Sequence, residues 1–363
     1  MTQVQERNNE GRYYVNTRLA VAKTKNENDF PDFTESNPVY DLLTNLIEVN
    51  AKGFRGVVVT ALTGMHLNPD YNPLENFYAC NPRSIFEGGI WNALQENDIP
   101  CGKSDPLNVA KNVDLLNEDW ARGRRPQSAA LAAVEFLRIV VDATEPKKRA
   151  RLIDYFFYRL WRFADSVNSY HIAEVTTSSS SKQYMGNTVI DFCLAYPESG
   201  TLPQLLVAEL LSTVYQESEV NVIGGDESVF GTNTTSKKPA DIWLELRGEE
   251  INLYEVTVKV IPKKRLDDSI DALQSTGHIE QPVTFICRIP EDVSELEVTG
   301  GRYIYKGKEF DFVDFKAFCS SMIALLKDED FSLLLERMSH SVKDKHISLK
   351  TKQGWNEHFG SED

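Results

Sequence analysis

The 363-residue sequence has no CxxC pair and no zinc-type histidine spacing. Its five cysteines (Cys80, Cys101, Cys193, Cys287 and Cys319) and six histidines are dispersed singly. A zinc module and a disulfide framework are therefore both excluded as organising principles, and lone thiols fit a reducing, cytoplasmic setting. No apolar run approaches the roughly 18 residues that a membrane helix needs. The opening residues, MTQVQERNNEGRYY, lack an apolar signal region, so export is not expected. Internal repeats are absent, which excludes a solenoid. The stretch GDESVFGTNTTS has glycines without phosphate-loop spacing and reads as a loop. Positive charge is scarce too: 39 Lys+Arg against 54 Asp+Glu leave a net charge of −15. That balance argues against nucleic acid unless cations are concentrated locally. Residues 119–162 carry ten Lys/Arg against five Asp/Glu, and RMSHSVKDKHISLKTK is also mainly basic. Each reads as either a solvated surface or one wall of a cleft.

What is present divides the chain in two. Residues 1–36 are polar with little periodicity and read as a flexible N-terminal segment. From Pro38 to about Phe163 the pattern is helical. VYDLLTNLIEVN puts Leu42, Leu43, Leu46 and Ile47 on one face, AALAAVEFLRIVVDA is a buried helix, and TEPKKRARLIDYFFYRLWRFAD starts another after Pro146. VTTSSSSKQYMGN (175–187) reads as a linker between a helical domain at 37–175 and an α/β domain at 188–363. In the second domain, LPQLLVAELLSTVYQ is a helix and EVNVIGG a short strand. ADIWLELR and INLYEVTVKVI are further strands, KKRLDDSIDALQST a helix and PVTFICRI a buried strand. FVDFKAFCSSMIALL and DFSLLLERM add terminal helices. His278 falls in a loop.

Three charged residues sit at the ends of otherwise apolar strands. Asp241 opens one strand after a proline, Glu255 lies near the end of the next, and Lys259 follows it. Carboxylates on adjacent strands can hold Mg²⁺, a hard cation that prefers oxygen ligands and keeps several waters. A nearby lysine can orient an attacking water and offset charge in the transition state. A turn at RGEE would bring the two acids together. Lys237 and Lys238 before the first strand, and the KKR at 263–265 after the second, bracket the acids with cations. A solvated sheet edge is the plain alternative.

Pro239-Ala240-Asp241 followed by Glu255-Val256-Thr257-Val258-Lys259, in the order helix, three strands, helix, strand, resembles the PD-(D/E)XK nuclease superfamily over about residues 200–290. The expected fold is α/β: a mostly helical N-terminal domain and a restriction-endonuclease-like core, with a central mixed β-sheet flanked by helices. In that resemblance Glu209 looks like the accessory acid of the first helix. The chain departs from the pattern in two places: PAD has one extra residue, and E-x-K has become E-x-T-x-K. On a regular strand residues 255, 257 and 259 share a face, which leaves Glu255 and Lys259 about 13 Å apart. Two registers are open. In the one adopted for the site, Glu255 is the acid and Lys259 has moved by two positions. In the other, Thr257-Val258-Lys259 is the motif and Asp267, Asp268 or Asp271 supplies the second acid.

In the helical half, VVVTALTGMHLNP, NPRSIFEGGIWNAL and IPCGKSDPLN resemble the N-terminal part of SacI-type restriction endonucleases, most distinctively at Arg83-Ser84. The resemblance implies a Mg²⁺-dependent type II restriction endonuclease that cuts double-stranded DNA. It implies a homodimer and a cognate DNA methyltransferase as functional partner, in a system of phage defence. Asp241 and Glu255 would bind the metal, with Lys259 acting on the water and Glu209 in support. Readout of bases would use polar and cationic side chains. The candidates are Lys182, Gln183, Asn187, Asn233, Lys237 and Lys238, with Arg122, Arg124 and Arg125 from the helical half. A structure-specific repair nuclease, or a non-catalytic DNA-binding protein on a decayed nuclease core, is the alternative.

Overall fold

The computed structural model describes residues 2–175, 180–224 and 238–360. The chain forms two compact units, Met1–Ser169 and Tyr170–Asp363. No described helix is long and apolar enough to cross a membrane.

The first unit is helical. Its principal helices are α1 (Gln3–Ala22), α2 (Pro38–Ile47), α3 (Lys52–Leu67), α4 (Gln127–Asp142) and α5 (Pro146–Asn168). The polar N-terminal residues, expected to be a flexible segment, instead begin a 20-residue helix. Thr2 and Gln5 form a reciprocal capping box, which satisfies amides that a helix start leaves bare. Periodicity failed there because α1 buries only a sparse stripe that includes Tyr14, Val15 and Leu19. The glycine-bearing stretch that resembled SacI-type enzymes also packs against α1. Gly89 lies in a π-helical turn, Phe86–Ile90, and a Cβ there would come 2.2 Å from the Asn8 carbonyl oxygen. Ser84 exchanges a hydrogen bond with the Asn8 side chain, and exposed Arg83 lies 3.6 Å from Glu87. The distinctive residues of that stretch thus have a packing role within this unit.

The second unit starts earlier than the expected linker. Tyr170 to Val175 belong to it, with the Ala173 N–H donating to Asn356 and Trp355 Nε1 donating to the Ala173 carbonyl. Residues 182–187, also read as linker, begin α6 (Lys182–Ala195). Next come α7 (Thr201–Tyr215), β1 (Val220–Ile223), β2 (Ile242–Leu246) and β3 (Glu249–Val256). They are followed by α8 (Lys263–Thr276), β4 (Val283–Cys287), β5 (Arg302–Tyr305) and β6 (Lys308–Asp314). The last helices are α9 (Phe315–Leu325), α10 (Asp328–Lys343) and α11 (Leu349–Phe359).

The strands make one mixed sheet in the order β1-β2-β3-β4-β6-β5. β1, β2 and β3 form an antiparallel meander, α8 crosses over to β4 parallel to β3, and β6 lies parallel to β4. The β2–β3 hairpin turns on Arg247 and Gly248, both at positive φ, the geometry whose twist suits adjoining strands. The order helix, three strands, helix, strand is the one the sequence pattern predicts. β5 and β6 were not foreseen: β6 absorbs the start of the segment read as one helix, FVDFKAFCSSMIALL. Alternation along the strands gives the sheet two buried faces. Ile242, Leu244, Val256 and Ile286 pack with helices α6, α7, α9, α10 and α11. Leu253, Phe285, Phe310 and Phe312 pack with Leu266 and Leu273 of α8.

Candidate active site

Glu255 shares a face with Leu253 and so points toward α8, where it is only 6% exposed. β2 pairs Ile242 with Tyr254, so the residue before β2, Asp241, stands opposite Glu255. The Val256 N–H donates to Asp241 Oδ2 at 3.1 Å and fixes the carboxylate. Next to it, Gly224 follows β1 at φ 95°, and a Cβ there would lie 2.4 Å from the Asp241 carbonyl oxygen. A side chain at residue 224 would therefore push Asp241 out of line.

A third residue completes the arrangement. Arg265, in the first turn of α8, donates through Nη2 to Glu255 Oε2 and lies 3.4 Å from Asp241 Oδ2. The Glu255 carboxyl is raised to about 8: burial contributes most, the facing Asp241 adds to it, and Arg265 pulls the other way. Burial also raises Asp241, against the opposing pull of Arg265. Arg265 is lifted above its usual value: burial lowers it, but the two acids together outweigh that. Without another cation, both facing carboxyls are therefore shifted toward keeping a shared proton beside one guanidinium.

Asp241 and Arg265 border a cleft of about 420 Å³, whereas Glu255 is buried and does not line it. Asp241, Val256–Pro262, Lys264, Arg265 and Asp268 form one side, and Ser199, Gly200, Thr201 and Gln204 at the start of α7 form the other. Glu198, Ser199 and Gly200 all have positive φ, a costly run for two non-glycine residues. Glu198 is anchored there: its carboxylate accepts from the Ser348 N–H at 3.1 Å and from the hydroxyls of Ser348 and Thr351.

Lys259 does not continue the strand. β3 stops at Val256, and Thr257 turns the chain by accepting the Lys259 N–H at its hydroxyl. Residues 255 and 259 therefore do not share a strand face, and the expected 13 Å spacing does not apply, because regular strand ends before residue 259. Exposed Lys259 lines the cleft, and its ammonium donates to the Ser199 carbonyl at 3.3 Å rather than to either acid.

Glu209 is not among the cleft-lining residues. It pairs with Arg337 of α10 at 3.2 Å. Of the three helix acids, Asp268 lines the cleft, Asp267 is held by Lys306 at 2.7 Å, and Asp271 is exposed on the helix. The readout candidates scatter. Lys182 donates to the Leu326 carbonyl and lies 3.6 Å from Asp328. Gln183 bonds Asn187 along the exposed side of α6. Lys238 lies close enough to Asp241 to lower its proton affinity. Asn233 and Lys237 lie outside the described residues. In the first unit Arg122 is paired with Glu118 and Asp119. Arg124 stacks on Trp120, and Arg125 donates to the backbone carbonyls of Arg122 and Arg124. Much of the basic stretch is likewise engaged: Arg149 caps carbonyls at the end of α4, and Arg151 and Arg159 pair with Asp32 and Glu48.

No known family model matches the chain, and no curated protein matches it.

The residue that pattern reading missed is Arg265. Its signal was present: KKR stood out as a cationic bracket, but periodicity alone does not show which of the three faces the strand.

Proposed function

We propose that the second unit hydrolyses phosphodiesters of double-stranded DNA with Mg²⁺, on a core of the PD-(D/E)XK kind. The whole chain would act as a sequence-specific type II restriction endonuclease with a protecting methyltransferase, most simply as a homodimer on two-fold symmetric sites. One observation carries this reading: two carboxylates from adjoining strands converge on a single cation at the edge of a cleft. Such a pair of hard oxygen donors with room for water fits Mg²⁺, which is usually held by one or two carboxylates and keeps several waters. Bound there, the ion would supply a Lewis acid and an activated water. Asp241 and Glu255 would hold it. Lys259 and Lys264 would offset phosphate charge, and Lys259, once released from Ser199, would orient the water. The α7 N-terminus, at Gly200 and Thr201, presents its positive end to the same cleft.

A second reading, a DNA-binding protein on a decayed nuclease core, is favoured by two contacts: Lys259 is held by Ser199, and Glu209 is held by Arg337. Incubating the purified chain with plasmid and phage DNA in Mg²⁺, then sequencing the ends, separates the readings. Discrete fragments with a shared end sequence support a restriction enzyme. Cleavage confined to flaps or junctions would indicate a repair nuclease, and retention without cleavage by wild type would overturn the catalytic proposal.

A further inference from the structure

Arg265 holds the position that a cation must take between Asp241 and Glu255. Its guanidinium contacts both carboxylates. Its placement runs against the helix that carries it. The first turn of α8 bears Lys263, Lys264 and Arg265 and no acid, although the positive end of a helix dipole favours acids there. Helix stability therefore does not account for a cation at residue 265, whereas the two acids do. The side chain also has open space beside it, since it is 42% exposed and borders the cleft. A guanidinium and a metal ion cannot occupy the same space between two carboxylates.

We propose that Arg265 is a displaceable counter-ion. It holds Asp241 and Glu255 in place in the metal-free protein, competes with the divalent cation for them, and moves into the cleft when the cation binds. Arg265 is thus a positioning residue, and the inference rests on the nuclease reading of the acid pair. Its consequence is that the chain binds divalent cations more weakly than its two carboxylates alone would.

The test is Mn²⁺ binding to the full-length, DNA-free protein, followed by isothermal titration calorimetry and by electron paramagnetic resonance of free Mn²⁺. Arg265→Gln removes the competing charge and should tighten Mn²⁺ binding tenfold or more. Arg265→Lys keeps a charge without the two-armed fork and should fall between wild type and Arg265→Gln, which keeps the test alive if the glutamine variant does not fold. Asp241→Ala should abolish binding at this site. Folded Arg265 variants with wild-type or weaker Mn²⁺ affinity, beside an Asp241→Ala loss, would overturn the counter-ion proposal and leave the nuclease reading standing. Mn²⁺ binding unaffected by Asp241→Ala would overturn both.

Discussion

Glu255→Gln should flatten the pH dependence of folding stability in the metal-free protein. The folded carboxyl lies at about 8 against a usual value of 4.5. The folded state therefore holds a proton that the unfolded chain releases, so stability is fullest below 4.5 and is lost as pH rises through about 8. At about 1.4 kcal/mol for each pH unit, the ceiling on that loss is about 5 kcal/mol. A loss of about 4 kcal/mol between pH 5 and pH 8.5 is the expected scale. Glutamine imitates the protonated acid and has no proton to lose. Urea unfolding in a chelator at several pH values measures both proteins, and their difference should grow toward alkaline pH. Parallel profiles for wild type and Glu255→Gln would refute the assignment of a shared, buried proton to this pair. On the proposed reading the same variant should be inactive on DNA even at saturating Mg²⁺, since it lacks the charge that would hold the metal. A folded, active Glu255→Gln protein would show instead that the Thr257-Val258-Lys259 register is the working one.

Asp241→Ala should reduce cleavage at least a thousandfold while leaving DNA retention in gel-shift assays largely intact, because the cation matters more to the transition state than to encounter. Asp267→Asn should cleave normally, since Asp267 is committed to Lys306, and Asp268→Asn should be mild in the adopted register; a dead Asp268→Asn enzyme would favour the other. Arg122→Ala should leave the salt dependence of DNA affinity unchanged, because Glu118 and Asp119 already neutralise it. A flatter slope of log affinity against log salt would place Arg122 on DNA. Gly354→Ala should destabilise the second unit by about 1–3 kcal/mol in thermal or urea melts, since a Cβ there would come 2.2 Å from the Tyr196 ring.

The order of elements in the second unit was legible because each has a strong local signature. ADIWLELR alternates, KKRLDDSIDALQST repeats Leu266, Ile270 and Leu273 at helical spacing, and the hairpin has Arg247-Gly248 at its turn. The facing of Asp241 and Glu255 followed from that hairpin. Three things were not legible. α1 is held by a capping box and a thin buried stripe, so its polar composition hid it. The end of β3 is set by Thr257 accepting the Lys259 N–H, a turn that a run of β-branched residues does not reveal. Arg265 and Ser199 join the site through tertiary geometry, where spacing along the chain carries no information about facing.

The hairpin and crossover have a bearing on how the molecule comes to be folded. The contacts that define the acid pair and its cation span only 10, 15 and 24 residues. Those that close the C-terminal helix onto the start of the unit span 182 and 183. Short loops cost less chain entropy to close than long ones, and native structure rich in local contacts forms faster. The acid pair and Arg265 thus come from one short segment, residues 241–265, whose contacts are placed to form before the most distant parts of the unit meet.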